Sequence, residues 1–423
     1  MGDWKIGSDA RRRTTDQLRD FRAANDGQVA WDTEAPADFT YVYHPDRVLV
    51  RAADVDDFER AVAQLDKGTL GEPPRRDDVR LLDGELARYV LAERPGGQSV
   101  PEVLDLLEAG GLRPGAASPD HWVHVSPGGG SLCPAIEPEE TGLKEPWPPR
   151  VPQHEKSCDV SVVVVDTGWN PPSGTDPRTP WLDGVTGDDE LNDPELRPYA
   201  GHGTFIAGVV RCVAPETKVF VEGFAIGGLG GGGVLESDLV VQLEQALKHD
   251  PQVINMSAGC RTRMDYPSIA LERFHHKHLR HRDCVLVAAA GNDSWSAPFW
   301  PAAFEWCVGV GSLDRDGRVS DFSNFGVSAD VYALGRNHVN AFPDGTFVCH
   351  ESPNKGDVRV FDSGMARWSG TSFAAPLVAG MIAREISKTG SSARDARDAV
   401  LATARYDSDP MVGPHRELDL IDE

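Results

Sequence analysis

Four residues of types that take part in acyl-transfer chemistry occur in four short, glycine-containing motifs. Asp166 lies in VVVVDTG, His202 in GHGTFIAG, Asn292 at the end of CVLVAAAGN, and Ser372 in SGTSFAAPLVAG. A serine deprotonated by a histidine that an aspartate orients is the triad of serine hydrolases, and Asp, His, Ser is one of its known chain orders. An asparagine carboxamide can donate a hydrogen bond to the oxyanion that forms in such a reaction. The order therefore indicates nucleophilic catalysis by Ser372.

Each motif also has an ordinary structural explanation. Ser372 can be the cap of a buried helix, in which Pro376 is tolerated within about one turn of the start. His202 can be a surface or core histidine, and Asn292 can be a turn former. The D-T-G at Asp166 can be a strand-end turn or half of an aspartic-protease site, but no second such motif occurs in a matching context. The order of all four favours the catalytic interpretation.

The residues around these motifs alternate between buried strands and helices. Apolar runs rich in β-branched or small residues, typical of strands in a parallel sheet, cover 160–166, 218–226, 253–258, 284–291 and 306–313. Helical patterns separate them, and two more helices follow, one near Ser372 and one over 392–404. The alternation predicts an α/β fold with a doubly wound, mostly parallel sheet. Such sheets bind ligands beyond the carboxyl ends of their strands, where Asp166 is placed.

The first third of the chain has a different pattern. Residues 1–40 are a polar extension with one helix predicted over 8–24. Residues 41–127 are predicted to form a small ferredoxin-like α+β domain of order β-α-β-β-α-β, with strands 47–52, 78–82, 88–93 and 121–125 and helices 54–65 and 99–112. A Pro-, Gly- and Glu-rich stretch over 128–157 is predicted to be a solvated linker. Residues 158–423 then form the domain that carries the four motifs.

Composition and charge argue against several functional classes. The 423 residues carry a formal net charge of −24, which disfavours binding to nucleic acid or to an anionic membrane. No apolar run reaches the roughly 18–20 residues of a membrane-spanning helix. No signal peptide is visible, so we expect a cytoplasmic protein unless it is exported by a route that the sequence does not reveal. The seven cysteines are scattered and include no C-x-x-C, which predicts free thiols rather than a zinc site.

Taken together, the four motifs resemble the signatures of the subtilisin-like serine proteases, the subtilase family or peptidase S8, over roughly residues 158–405. The resemblance implies that Ser372 attacks the scissile carbonyl and that His202 transfers the proton, with Asp166 orienting the imidazole. It also implies an oxyanion hole made by the Asn292 side chain and the Ser372 backbone N–H.

The resemblance also implies which residues bind the substrate and what the N-terminal unit does. Small residues would wall the primary specificity pocket and leave room for a sizeable side chain, and glycines would let a peptide add as a strand. These positions are Ser257, Ala258, Gly259, Ala289, Ala290, Gly291, Gly231 and Gly232. Family prodomains share the element order of 41–127, so this unit would be an intramolecular chaperone or inhibitor, with an uncleaved regulatory domain as the alternative. The substrate would be a protein or peptide.

Two departures from the family pattern bear on these expectations. The second histidine of the family's usual H-G-T-H is Phe205 here, but that position is not part of the triad. No cofactor is certain; calcium sites are common in the family, yet no ligand set can be matched. An acidic loop is expected to be solvated surface, with a cation site as the alternative; its members are Asp183, Asp188, Asp189, Glu190, Asp193 and Glu195.

Three alternatives stay open from the sequence. Gly228, Gly230 and Gly233 satisfy G-x-G-x-x-G, as in a dinucleotide-binding enzyme, but no ribose-binding acid follows at the right place. A peptide ligase or macrocyclase can use the same acyl-enzyme. A non-catalytic binding protein on the same scaffold would lack a triad member, and all three are present.

Overall fold

The structure is a computed structural model of the 423-residue chain. It describes residues 8–34, 38–65, 70–92, 94, 96–124, 137–153, 159–172, 177–190, 195–223, 233–351 and 353–419. Gly231 and Gly232, and Gly228 and Gly230 of the glycine-rich run, lie outside these residues, as does Asp193 of the acidic loop.

The N-terminal domain is an antiparallel sheet with helices. Its elements are α1 Ser8–Ala24, β1 Ala30–Trp31, β2 Val42–Arg51, α2 Val55–Gln64, β3 Arg75–Arg76, β4 Leu86–Val90, α3 Val100–Ala109 and β5 Ala117–His124. The strands lie in the order β5-β2-β4-β3, and β1 pairs with the start of β2. Helix α2 buries Phe58 against Tyr89 of β4, and α3 begins at a capping box in which Ser99 N–H donates to Glu102 Oε2 at 2.7 Å.

One predicted strand of this domain is wrong. Residues 78–82 are not a strand; β3 is only Arg75–Arg76, and a 3₁₀ turn covers Leu82–Gly84. A strand would send Leu81 and Leu82 to opposite faces of the sheet. The turn instead buries both leucines in one apolar cluster that they share with the C-terminal domain, and this burial outweighs the strand propensity of the segment.

The C-terminal domain is built on a nine-stranded sheet of order β19-β20-β14-β13-β12-β11-β6-β9-β7. All neighbours are parallel except the final hairpin, β19–β20. The elements are β6 Ser161–Asp166, β7 Thr186–Gly187, β8 Glu195–Leu196, α4 His202–Val213, β9 Lys218–Gly223, β10 Gly233–Leu235, α5 Glu236–Ala246, β11 Val253–Met256, α6 Ile269–Lys277, β12 Val285–Ala289, β13 Cys307–Leu313, β14 Val331–Leu334, β15 His338–Ala341, β16 Gly345–Val348, β17 Val358–Phe361, β18 Met365–Trp368, α7 Thr371–Thr389, α8 Ala393–Ala402, β19 Arg405–Asp409 and β20 Gly413–Glu417.

Both faces of this sheet are covered by helices. Val162 and Val164 of β6 belong to the apolar cluster of α4, α7 and α8, whereas Val163 and Val165 belong to the cluster of α5 and α6. This alternation along one strand is the doubly wound arrangement that the buried runs predicted. Strand β6 lies between β9 and β11, so the strand order reverses beside its carboxyl end and opens a crevice there.

The predicted linker is not a solvated spacer in its described part, 137–153. Glu139 N–H donates to the Arg367 carbonyl at 2.9 Å and Trp147 N–H to the Val339 carbonyl at 2.9 Å. These bonds extend the small β15–β18 sheet on both sides, and the Arg315 guanidinium lies 4.4 Å from the Trp147 ring centroid. The segment therefore packs as part of the C-terminal domain, because its backbone finds partners at two sheet edges.

Strand β10 joins the two domains. It pairs antiparallel with β5, with Gly233 opposite His124 and Leu235 opposite Trp122, so the N-terminal sheet continues into the C-terminal domain. The cluster that buries Leu81 also contains Leu239 of α5.

No helix among the described residues is long and apolar enough to cross a membrane. Five cysteines within the described ranges are unpaired and buried, namely Cys212, Cys260, Cys284, Cys307 and Cys349.

Candidate active site

Asp166 and His202 meet at the crevice beside β6. Asp166 is the last residue of β6, and His202 is the first residue of α4. The turn before α4 requires Gly201, because its φ is +75° and a Cβ there would lie 2.4 Å from Pro343 Cδ. The same turn is held by Glu190, whose Oε2 accepts the Gly201 N–H at 2.8 Å.

The two side chains form a directed pair. His202 Nδ1 and Asp166 Oδ1 are 2.7 Å apart, and both side chains are buried. Asp166 Oδ1 also accepts the Thr167 N–H at 2.8 Å. Because Nδ1 donates to a carboxylate, the proton of neutral His202 resides there, and Nε2 carries the free lone pair. Nε2 is buried and has no hydrogen-bond partner in the described part of the chain, so it is available to accept a proton.

Glu190 is a residue of this site that the sequence did not single out, since it was grouped with solvated acids. Burial, with a smaller contribution from the charge of Asp166, raises the pKa of Glu190 to about 7. Its link to the Gly201 turn connects it to the position of His202. Nothing in the composition of the loop separates Glu190 from the exposed Asp188 and Asp189 beside it, because only the fold turns it inward.

Ser372 is the second residue of α7. Its backbone N–H belongs to the first turn, where amide groups have no partner within the helix. Pro376 is the sixth residue of α7, so it lies beyond the first turn in which the sequence placed it. The backbone N–H that a proline lacks would have bonded the Ser372 carbonyl. Ser257 replaces it, because its hydroxyl donates to the Ser372 carbonyl at 2.8 Å.

Asn292 is oriented by the residue before the serine. Its Oδ1 accepts the Thr371 backbone N–H at 2.8 Å and the Thr371 hydroxyl at 2.9 Å. With Oδ1 used in this way, Nδ2 presents the N–H donors of the amide, as an oxyanion hole requires. Thr371 also accepts the Gly291 N–H through Oγ1 at 3.3 Å, so one side chain ties the asparagine motif to the serine motif.

Most of the predicted substrate-binding residues line one cleft next to Ser372. The cleft is lined by Ser257, Ala258, Gly259, Ala289, Gly291, Asn292, Thr371 and Ser372, together with His124 and Phe299. Ala290 is buried beneath it and its backbone bonds to Val310 and Asn324. With His124 in its lining, the cleft holds a free volume of only about 10 Å³, about enough for one water molecule, so the expected room for a sizeable side chain is absent while the N-terminal domain is docked. Phe299 occupies that space.

His124 comes from the N-terminal domain. Its N–H donates to the Gly259 carbonyl at 3.0 Å, and its carbonyl accepts the Gly259 N–H at 3.1 Å. On the other side, His124 lies opposite Gly233. Burial lowers the pKa of His124 to about 3, so the imidazole is neutral at physiological pH. The end of β5 thus lies as a strand between two segments of the C-terminal domain, one at Gly259 and the other at Gly233.

A metal site would need several ligand side chains close together. Within the described ranges, no three His, Cys, Asp or Glu side chains lie together as ligands of an ion would. Calcium binding therefore stays a prediction from the resemblance, with no such ligand group among the described residues.

The chain is similar in sequence to serine proteinases. The chain is 31% identical over 263 residues to a thermophilic serine proteinase of Bacillus sp. strain AK1, covering 59% of this chain and 57% of that protein. It is 29% identical over 267 residues to subtilisin NAT of Bacillus subtilis subsp. natto, covering 59% of this chain and 61% of that protein. The chain thus spans 57% and 61% of the lengths of these two relatives.

Among solved structures, fervidolysin of Fervidobacterium pennivorans, a keratinolytic enzyme related to subtilisin, aligns with a TM-score of 0.56 at 22% identity. The alignment covers 86% of this chain and 58% of that one, which shows a shared fold. The family model described as the subtilase family, Peptidase_S8, matches residues 157–417, more than half of the chain. The chain belongs to the subtilase family.

Proposed function

We propose that the protein is a serine endopeptidase that hydrolyses peptide bonds of a protein or peptide substrate through an acyl-enzyme on Ser372. The observation that carries the proposal is the 2.7 Å contact between His202 Nδ1 and Asp166 Oδ1, which leaves a buried Nε2 free to accept a proton. Catalytic hydrogen bonds between nucleophile and base are often formed only in the substrate complex, so the absence of a bond from the described residues to this Nε2 is compatible with the role.

The chemistry follows from these positions. Ser372 Oγ attacks the scissile carbonyl while His202 Nε2 takes its proton. The carbonyl oxygen becomes an oxyanion, which Asn292 Nδ2 and the Ser372 backbone N–H stabilise. Asp166 stabilises the imidazolium that results. His202 then gives the proton to the leaving amine, and water, deprotonated by the same Nε2, releases the acyl group from Ser372.

The N-terminal domain, in this proposal, is a ferredoxin-like, prodomain-type inhibitor that also assists folding. A peptide substrate that adds as a strand needs backbone partners at the edge of the cleft. The end of β5 uses those partners, because His124 exchanges two hydrogen bonds with Gly259 and lies opposite Gly233. Substrate and N-terminal domain therefore compete for one edge.

Charged contacts support the docking of this domain. Arg263, in the loop after Gly259, is buried and reaches α3 of the N-terminal domain. Its Nη1 lies 3.0 Å from Glu108 Oε1 and its Nη2 2.8 Å from Glu108 Oε2, and Nη2 also pairs with Asp105. A bidentate guanidinium–carboxylate pair shielded from water stabilises docking more than a surface ion pair does.

The enzymatic part of the proposal is tested by labelling with an ethoxy fluorophosphonate and by profiling cleavage of a mixed peptide library. Wild type is expected to be labelled on Ser372 and to cleave peptides, whereas Ser372→Ala is expected to do neither. Mass spectrometry of the products distinguishes hydrolysed from joined peptides. Identical behaviour of the two proteins would refute the assignment.

The inhibitory part is tested by Arg263→Met in the full chain. Loss of the pairs to α3 is expected to raise the rate of peptide hydrolysis relative to wild type. Arg318→Met is the matched control, because Arg318 pairs only with Asp316 in its own exposed loop in the described contacts. Equal rates for wild type and Arg263→Met, with both proteins folded, would show that this contact does not restrain the site.

A further inference from the structure

The primary specificity pocket is filled by one aromatic ring. Phe299 lies in the chain between β12 and β13 and is buried. A Cβ on Gly259 would lie 2.2 Å from Phe299 Cε1, and a Cβ on Gly291 would lie 3.1 Å from Phe299 Cδ1 and Cγ. Gly259 and Gly291 are the two walls between which a substrate side chain would enter. The ring stands between them and is in contact with both.

Hydrogen bonds fix the backbone of Phe299 and of the residue that follows it. Phe299 N–H donates to Ser328 Oγ at 2.9 Å, and its carbonyl accepts the Ala303 N–H at 2.9 Å. The next residue, Trp300, exchanges two hydrogen bonds with Cys260, at 2.8 and 2.9 Å. Cys260 directly follows Gly259, so the segment that carries the ring is fastened to the wall that the ring touches. These bonds fix the backbone of Phe299, and with it the point from which the ring enters the pocket.

The pairing register shows which substrate residue meets the ring. A peptide that takes the place of β5 pairs with Gly259 as His124 does. In an antiparallel ladder, the residue two positions further along then lies opposite Ser257. Ser257 is bonded to the carbonyl of Ser372, so this residue presents its carbonyl to the nucleophile. Its side chain points into the cleft that Gly259, Gly291 and Phe299 enclose.

We infer that Phe299 restricts this protease to cleavage after residues with small side chains, namely glycine, alanine and serine; the inference rests on the proposed serine endopeptidase function. A close-packed pocket does not expand to admit a larger group without strain. Because the ring lies 2.2 Å from the Cβ position of Gly259 and 3.1 Å from that of Gly291, a leucine or phenylalanine side chain placed between these two walls would overlap it. The small residues of the pocket walls alone would indicate a preference for large side chains. The Phe299 ring reverses this preference.

The test uses the full chain and two tripeptidyl diphenyl phosphonates that differ only in the last residue, alanine or phenylalanine. Each probe labels by formation of a bond from Ser372 Oγ to phosphorus with loss of phenol. Both probes meet the same N-terminal domain, so its inhibition cancels in the ratio of their labelling rates. The proteins compared are wild type, Phe299→Ala and Phe304→Ala. Phe304 is a matched control because it packs on Trp300 but does not line the cleft.

Wild type is expected to react at least about 100-fold faster with the alanine probe, the discrimination that pocket size can give. In Phe299→Ala this ratio is expected to fall below about tenfold, and in Phe304→Ala to equal that of wild type. If Phe299→Ala does not fold, judged by its melting temperature, Phe299→Leu is used and is expected to lower the ratio in the same direction.

Several results would overturn the inference. One is that both probes label wild type at comparable rates. Another is that the ratio of the two labelling rates is unchanged in the folded Phe299 variant, and a third is that this ratio falls equally in Phe304→Ala. Labelling of Ser372 by the ethoxy fluorophosphonate, but not by the alanine probe, would overturn it while leaving the proposed function intact. Failure of the fluorophosphonate itself to label wild type would instead refute the proposed function.

Discussion

Replacing Asp120 by asparagine is expected to remove part of the pH dependence of folding. Asp120 lies on β5 and is fully buried against the start of α5. Its Oδ1 accepts the Ser237 N–H at 3.1 Å and its Oδ2 the Ser237 hydroxyl at 2.7 Å. Burial, and next the charge of Glu236, raise the pKa of Asp120 from 3.8 to about 7. The other charged groups that face it are Asp238, Arg47 and Arg88.

The sign and size follow from linkage. Between pH 3.8 and about 7 the folded protein holds a proton on Asp120 that the unfolded chain has released. The free energy of unfolding therefore falls as pH rises through this window, at about 1.4 kcal/mol per pH unit. From pH 5 to pH 8 wild type crosses about two units of the window, a loss of about 3 kcal/mol from this residue. An asparagine at this position does not titrate, so the variant is expected to lose none of it.

The assay is urea unfolding at pH 5, 6, 7 and 8, in a Ser372→Ala background that prevents self-digestion. The difference in unfolding free energy between Asp120→Asn and its parent is expected to grow in favour of the variant by about 3 kcal/mol from pH 5 to 8. Asp57→Asn, at an exposed site on α2 that pairs with Arg60, is the control, and its difference is expected to stay constant. A constant difference for Asp120→Asn as well, within about 0.5 kcal/mol, would refute the reasoning.

Three further substitutions test the contacts around Ser372, the proposed nucleophile. Ser257→Ala leaves the Ser372 carbonyl without a donor and is expected to cost about 1–3 kcal/mol of stability, measured by melting temperature; an unchanged value would contradict the role given to this hydroxyl. Thr371→Val removes the hydroxyl that orients Asn292, so kcat is expected to fall about tenfold with little change in KM; a change in KM alone would argue against it. Phe205→His buries an unpaired imidazole among aromatic rings and is expected to destabilise the protein by about 2 kcal/mol, visible in urea unfolding; equal stability would show that a partner exists.

The strands and helices that carry the triad were predictable because burial leaves a strong pattern in the sequence. The run 160–166 is apolar and β-branched because β6 is buried on both faces, and it ends at Asp166 where the sheet ends. The helix bounds His202–Val213 follow from a glycine at the start and apolar residues throughout. Such elements depend mostly on their own residues and on general burial.

The remaining features depend on contacts between distant segments. Phe299 is an apolar residue in a loop, and its position beside the cleft depends on the bonds that its segment makes with Cys260 and Ser328. The segment 78–82 looks like a strand, yet Leu81 and Leu82 are buried against the other domain. Asn292 was predicted from its motif, but the direction of its amide depends on Thr371, which lies far along the chain. The residue pattern of one segment does not indicate how contacts with a distant segment will direct its side chains.

The pairing of β5 with β10 has a consequence for what happens when the domains separate. Within the N-terminal sheet, β5 stands next to β2 on one side only, and β10 covers the other side. Separation would expose a row of unpaired backbone groups beside Trp122 and Val123, which are buried in the docked state. An uncovered edge strand with large apolar side chains is a template for aggregation and a target for digestion. Docking thus covers this edge, and a separation of the two domains would expose it to solvent and to other chains.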